Sequence, residues 1–472
     1  MNTLTYGGAA TRGCEMARNL AALAVVLICG FCGRSFASPE PSLLCVVTLI
    51  KIFRVDTNLP TTEAVADAAI GEHTTLQFVF RAPFQVTNLQ AVVSDGIPGA
   101  VTRFVGYAKV GKPYTGGASD TLHSADGMFP DPLLEDSSVS VPANHNQPVW
   151  ITIPARKKGI LRGNLALRWP GGGIGRDFTV NVHNVRMKKP RLWITNWWFD
   201  QADRLTLLAG HKVETFSDEY WKLLRQMADF MAAYHQNVSW ISPLDLAEIG
   251  SKDGRYTFDF GRFDRTVRTF IDAGVIGRIE GRHIGGRPSE DWNSQFVVKV
   301  PVFTNGTMRH LNLPATNSLT REFYSQYLPA LARHLKSRRW DKIYLQHVGD
   351  EPIDANAGSY REAAAMVHEF APGMRIVEAT QSKNLVGAVN TWVPILDHLH
   401  HGIEFFRERQ KAGDEVWFYT CCGPTGNYAN RFIEQPLIKP RLLHWINFRY
   451  GVTGYLHWGF NCWESKLSPF EE

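Results

Sequence analysis

An extended, apolar-rich run at Lys342–Val348 leads into Gly349-Asp350-Glu351-Pro352, so two carboxylates stand side by side where the chain leaves a strand. Like charges that close resist joint ionisation, and one of the pair is expected to keep its proton above the usual carboxylate range. A carboxylic acid still protonated near neutral pH is what a departing glycosidic oxygen needs. Gly349 allows a tight backbone and Pro352 fixes the exit from the turn. Glycosidases that use two carboxylates usually take them from different strands, roughly 5 Å apart when configuration is retained and farther apart when it is inverted. Adjacent residues suit a third arrangement better. There the substrate's own 2-acetamido group is the nucleophile, one carboxylate orients that amide, and the other protonates the leaving oxygen. The competing structural role for Asp350 and Glu351 is a helix N-cap followed by a first-turn acid.

Aromatic residues, 12% of the chain with 14 Trp, supply flat faces that either fill a core or stack on sugar rings. Two later strand-like runs carry them to places where they could meet a ligand. The first is Trp417-Phe418-Tyr419-Thr420-Cys421, and the second is Tyr455-Leu456-His457-Trp458, which continues to Trp463. Alternation along a strand sends Trp417, Tyr419 and Cys421 to one side. Tyr419 could then hold an amide carbonyl, with Trp458 and Trp463 as stacking surfaces. His283, beside Arg282, and His347 are candidates for substrate contact, His347 alternatively supporting the pair from behind, and a lone histidine is more often structural. Glu378 and Glu404 are further acids, and either one facing Glu351 would restore a two-carboxylate mechanism. His400-His401 lacks the spacing of a helical metal site, so neither a metal nor another cofactor is expected.

The elements that must position these residues fall into two regimes that meet near Pro190. Residues 45–188 read as short strands with turn residues between them, among them Thr75–Phe80, Val149–Ile153, Asn164–Trp169 and Phe178–Val185. That pattern suggests an antiparallel β-sandwich domain. Residues 191–472 alternate short apolar runs with helical patterns, which suggests an α/β fold with a (β/α)8 TIM-type barrel as the catalytic domain. Strands are expected at Leu192–Thr195, Val238–Ile241, Ile276–Gly281, Lys342–Val348, Arg375–Ala379, Val389–Val393, Glu415–Cys421 and Gly454–Trp458. Helices are expected from Ser217 to Tyr234 and at Phe263–Ala273, Thr320–Lys336, Ala357–Phe370, Ile403–Ala412 and Leu437–Tyr450. A long irregular stretch runs through Pro314, with an internal β-like piece at Phe296–Phe303. Active sites of such barrels lie at the C-terminal ends of the strands, where Asp350, Glu351, Tyr419 and Trp458 fall. The sequence stops soon after the eighth strand, which gives the expectation of a barrel truncated at its C-terminus.

Arg12 and Arg18 precede the apolar run Leu20–Phe31 and the small residues up to Ser38. This order describes a secretory signal peptide over residues 1–38, too short for a membrane span, and implies a secreted or periplasmic product. The 7 cysteines do not describe a disulfide scaffold. A net charge of +5 over 472 residues, with no basic block interleaved with aromatics, argues against a nucleic-acid partner. The Arg156-Lys157-Lys158 run reads as a solvated loop.

The ordered set of GDEP after a strand, then WFYTCCGP, then a helix and GYLHWGFNCW, resembles glycoside hydrolase family 123. The resemblance runs from about Val47 to Trp463 and includes Asn196-Trp197-Trp198 at the opening of the barrel. It implies an N-terminal β-sandwich before a catalytic barrel, and an exo-acting β-N-acetylgalactosaminidase that retains configuration through substrate assistance. It also implies that Asp350 orients the acetamido group and Glu351 is the general acid/base, with Tyr419 beside the acetamide and Trp458 in the sugar platform. The partner expected is a glycan ending in β-linked N-acetylgalactosamine. A β-N-acetylglucosaminidase or broader hexosaminidase, and a carbohydrate-binding barrel without turnover, are the alternatives.

Overall fold

The computed structural model describes residues 40–94, 97–111, 120–188 and 191–462. The expected signal peptide at 1–38 and the candidate Trp463 lie outside these residues. From Pro41 onward the chain forms one compact unit.

The N-terminal region is two five-stranded sheets packed face to face. One has the order Ser42–Val46, His73–Arg81, Asn146–Pro154, Val101–Lys109, Met128–Leu134. The other has the order Val65–Ile70, Gly172–Arg186, Gly159–Trp169, Val86–Val93, Val139–Val141. Phe78, Phe80, Ile151, Leu165 and Val180 meet between them with essentially no exposed surface. The pairing departs from a purely antiparallel sandwich at one place, because Val65–Ile70 runs parallel to Gly172–Arg186. His73–Arg81 also departs from simple alternation. Leu76 to Phe80 are all buried, because Val46, Ile52 and Leu59 cover the outer side of Val79. Gln77 is satisfied there by donating to the carbonyls of Val47 and Ile50, both at 3.1 Å.

The C-terminal region contains an eight-stranded sheet, nearly closed into a barrel. Its strands are β1 (Trp193–Asn196), β2 (Val238–Trp240), β3 (Arg278–Gly281), β4 (Tyr344–Gln346), β5 (Arg375–Ala379), β6 (Thr391–Val393), β7 (Glu415–Thr420) and β8 (Gly454–His457). Neighbours pair in parallel in the order β1-β8-β7-β6-β5-β4-β3-β2. All eight fall within a few residues of the expected segments. Between β1 and β2 side-chain amides take over from a regular ladder. Asn237 accepts from the Ile194 N–H at 2.8 Å and donates to the Leu192 carbonyl at 2.8 Å. Gln236 donates to the Asn196 carbonyl at 3.2 Å.

Helices between the strands bury one face each. Ser217 caps Asp218–Ala233 by accepting from the Tyr220 N–H, and Leu224, Ala228 and Met231 form the buried stripe. The inner side of the sheet is lined by Trp197, Trp240, Leu345, Val377, Trp417, Tyr419 and Leu456. Phe418 and Tyr455 face the surrounding helices instead, as alternation requires. A side chain at Gly454 would drive its Cβ to 2.2 Å from the Trp417 ring, so this close approach needs glycine.

Two excursions leave the barrel, the first not expected and the second matching the β-like piece read at Phe296–Phe303 with the strand Val297–Thr304. A hairpin, Glu248–Lys252 with Arg255–Asp259, follows β2. The long stretch after β3 folds into a small sheet of Gly285–Gly286, Val297–Thr304 and Thr307–Leu313. No helix among the described residues is long and apolar enough to cross a membrane.

Because Asn237 satisfies two backbone groups at the barrel seam, Asn237→Leu should cost about 2–4 kcal/mol and lower the Tm measured by circular dichroism. An unchanged Tm would show that the seam does not depend on this amide.

Candidate active site

β4 delivers Asp350 and Glu351 to the C-terminal end of the barrel. Gly349 lies against Phe296, and an added Cβ would stand 2.6 Å from that ring. Arg287, from the excursion after β3, donates to the carbonyls of both Asp350 and Glu351 at 2.9 and 3.1 Å. Its guanidinium stacks 4.1 Å over the Trp292 ring. Glu351 adopts φ = 47°, the left-handed region that non-glycine residues seldom enter. This costs of order 1–3 kcal/mol and persists where surroundings over-determine the backbone. The Arg287 bonds and the Glu351 N–H bond to the Ala379 carbonyl at 3.1 Å are such surroundings.

The Glu351 carboxylate meets the Tyr419 hydroxyl, which donates to it. Gln381 supports the pair from the loop after β5. Its amide donates to the Tyr419 oxygen at 2.5 Å and approaches Glu351 Oε1 at 3.4 Å. Burial and then the charge of Asp350 raise the Glu351 carboxyl, against the pull of Tyr419, Gln381 and Arg287. The Asp350 carboxyl is also raised, first by loss of water and then by Glu378, while His283, His347 and Arg287 act in the opposite direction. Even so, 48% of the Asp350 side chain remains open to solvent.

Beneath the pair lies a buried network. His347 has no exposed surface and is held between two carboxylates, Glu280 at 2.7 Å from Nε2 and Glu378 at 2.7 Å from Nδ1. Burial would lower its imidazolium, but Glu378 and Glu280 outweigh that and raise it to about 10. Glu378, at the end of β5, accepts from His347, from His283 at 3.1 Å, from Tyr360 at 3.0 Å, and from the N–H groups of Val348 and Gly349 at 2.9 and 3.0 Å. Burial alone would raise this carboxyl, yet the two histidines bring it down to about 2. Glu280 accepts in addition from Thr195 at 2.7 Å and from the Trp197 indole at 3.0 Å. His283 joins this network to the surface, with Asp350 3.9 Å from its Nε2.

Asp350, Glu351, Tyr419 and His283 are therefore brought together. Trp458 stands on the same end of the barrel, 41% exposed, with its ring stacked on His457 at a centroid distance of 6.1 Å. His347 does not take the substrate-contact place expected for it. Complete burial leaves it no surface to offer, and both ring nitrogens are spent on carboxylates. Nor do the other acids face Glu351. Glu378 is saturated beneath Asp350, while Glu404 lies on an outer helix paired with Arg407 at 2.9 Å. His283, His347 and Glu378 are close enough to raise the question of a metal ion. His347 must keep a proton on each nitrogen to bond both carboxylates, so it has no lone pair for a metal. Sequence reasoning missed Arg287, Gln381 and Glu280. Only the last had a local signal, a carboxylate at the end of an apolar strand.

The network predicts the pH dependence of stability. The depressed Glu378 carboxyl contributes stability that is present above its ordinary value of 4.5 and lost as pH falls toward about 2. The raised His347 contributes stability present below its ordinary 6.5 and lost as pH rises toward about 10. Glu378→Gln should have a lower Tm at neutral pH and a shallower fall of Tm on the acid side than the parent. Parallel Tm–pH curves for the two proteins would rule this out.

The geometry can be set beside known proteins. The family model described as glycoside hydrolase 123, catalytic domain, matches residues 201–472. Among solved structures, a family 123 glycoside hydrolase from Clostridium perfringens, described in terms of glycolipid glycan hydrolysis, superposes with a TM-score of 0.72 at 16% identity, covering 92% of this chain and 80% of that one. A β-glucuronidase from Parabacteroides merdae (TM-score 0.29, 10% identity, 89% of this chain and 48% of that one) and an endo-β-1,4-mannanase from Thermotoga petrophila (0.30, 10%, 57% and 68%) are far more distant. A search of curated protein sequences finds no match. With the family model spanning more than half of its length, the chain belongs to glycoside hydrolase family 123.

Proposed function

We propose that this glycoside hydrolase is a secreted exo-enzyme that removes terminal β-linked N-acetylgalactosamine with retention, using the substrate's 2-acetamido group as nucleophile on a (β/α)8 barrel preceded by a sandwich domain. The observation that carries the reading is the division of labour among the acids. Asp350 and Glu351 alone reach the open end of the barrel from this strand, and the nearby third acid, Glu378, is locked below them by five donors. A conventional retaining enzyme needs a second carboxylate free to attack the anomeric carbon. Glu378 has neither exposure nor an unoccupied oxygen for that task.

In this mechanism the adjacent carboxyls share one proton, and the reaction takes it from Glu351, whose carboxyl is raised by burial and by the Asp350 charge. Ionised Asp350 accepts the acetamide N–H and pushes its oxygen toward the anomeric carbon. Glu351 protonates the departing oxygen and then, as a carboxylate, takes a proton from the water that opens the cyclic intermediate. Tyr419 steadies Glu351 and is assigned to the acetamide, with the half-exposed Trp458 as a stacking face at the mouth. The basic-then-apolar leader at 1–38 supports secretion.

Release of p-nitrophenol from the aryl β-N-acetylgalactosaminide should exceed release from the N-acetylglucosaminide, and the unsubstituted galactoside should be inert. Equal release from the galactoside would remove the acetamide requirement, and preference for the N-acetylglucosaminide would reverse the sugar assignment. Binding without turnover by a folded protein, unchanged in Glu351→Gln, would instead support a carbohydrate-binding barrel.

Glu351→Gln should lower kcat/KM by about 10²–10⁴ on substrates with poor leaving groups and far less on activated aryl glycosides. Equal losses on both would contradict its acid role. Asp350→Asn should reduce kcat much more than it raises KM, and parental kinetics in that variant would take Asp350 out of the reaction.

A further inference from the structure

Two residues beyond Tyr419 the chain carries Cys421 and Cys422, which the reaction above does not use. Adjacent residues of a strand point to opposite faces, and cysteines so placed would hold their sulfurs far apart. Here the two Sγ atoms lie 3.7 Å from each other. The reason is the bend that ends β7. The Cys421 N–H donates to the Gly423 carbonyl at 2.8 Å. The buried Asn430 amide donates to the carbonyls of Cys421, Gly423 and Pro424, each at 3.1 Å. These bonds turn both side chains to one side of the bend. Among the other described cysteines, Cys45 is buried in the sandwich, its sulfur directed at the Glu63 carbonyl.

We infer that Cys421 and Cys422 are a site of oxidative modification, closing to a vicinal disulfide on the rim of the active site. A disulfide requires the sulfurs to move to about 2.0 Å from one another, and because adjacent Cα atoms stand only about 3.8 Å apart, closure turns both side chains and also adjusts the Cys421–Cys422 peptide. The reaction balances with a small-molecule disulfide as oxidant. Cys422 is exposed and attacks first as its thiolate, releasing one thiol and leaving a mixed disulfide. Cys421 then displaces the second thiol, giving up its own proton, so two cysteine thiols are oxidised and one external disulfide is reduced to two thiols. Burial pushes the Cys421 thiol up to about 12, consistent with its acting second, by proximity rather than by acidity. The bond would replace two thiols by a compact sulfur face next to Tyr419 and, through it, Glu351.

The test uses the full chain and needs no catalysis, so it stands apart from the assignment of the reaction. Protein is incubated with oxidised glutathione, denatured, alkylated, and mapped by mass spectrometry. The expected result is a peptide lighter by two hydrogens, with neither Cys421 nor Cys422 alkylated, reversed by dithiothreitol. Cys422→Ser should leave Cys421 alkylated or bearing glutathione. Alkylation of both cysteines in the parent, or a stable glutathione adduct on Cys422, would overturn the inference.

Discussion

The active end of this barrel depends on one imidazole held between two carboxylates. His347 joins Glu280 on β3 to Glu378 on β5, with 2.7 Å on either side and no exposed surface. A buried carboxylate is costly unless it is paired and fully hydrogen-bonded. Glu378 meets that condition only because His347, His283, Tyr360 and two backbone N–H groups converge on it. Those backbone groups belong to Val348 and Gly349, the residues that lead into Asp350. The partners of this one carboxylate thus compensate its burial, and its bonds fix the direction in which Asp350 and Glu351 leave the strand.

The rest of the site is built outward from that floor. Arg287 holds the Asp350 and Glu351 carbonyls, and Tyr419 and Gln381 hold the Glu351 side chain. The left-handed backbone of Glu351 is strain of the kind that such multiple restraints sustain. Fixed charges below and fixed dipoles beside the pair preorganise it, so little reorganisation is left for the reacting state.

How legible this was in the sequence follows from how local each signal is. The eight strands are short apolar runs between capped, periodic helices, and Arg375–Ala379 and Ala357–Phe370 match the expected bounds. Asp350, Glu351 and Tyr419 also carry local signals, since position at a strand end and alternation along the strand place them. For Glu280 and Glu378 the sequence shows at most a carboxylate at the end of an apolar strand, not what that carboxylate does. Their shared role comes from His347, 67 residues from Glu280 and 31 from Glu378, and no local pattern announces that pairing. Of the two places the sequence offers His347, ligand contact fails and support beneath the pair holds, because burial is set by what packs across the barrel. Arg287 lies in an excursion with no periodicity to read, and the parallel edge strand Val65–Ile70 is indistinguishable in sequence from an antiparallel one.

The central claim, that the substrate's acetamido oxygen is the nucleophile poised by Asp350, is tested most directly by weakening that nucleophile without touching the protein. Aryl β-glycosides of N-acetylgalactosamine carrying none, one, two or three fluorines on the acetyl methyl differ little in size but greatly in carbonyl basicity. The account predicts that kcat/KM falls steeply with each added fluorine. A flat series would mean that a group of the enzyme, and not the substrate, attacks the anomeric carbon.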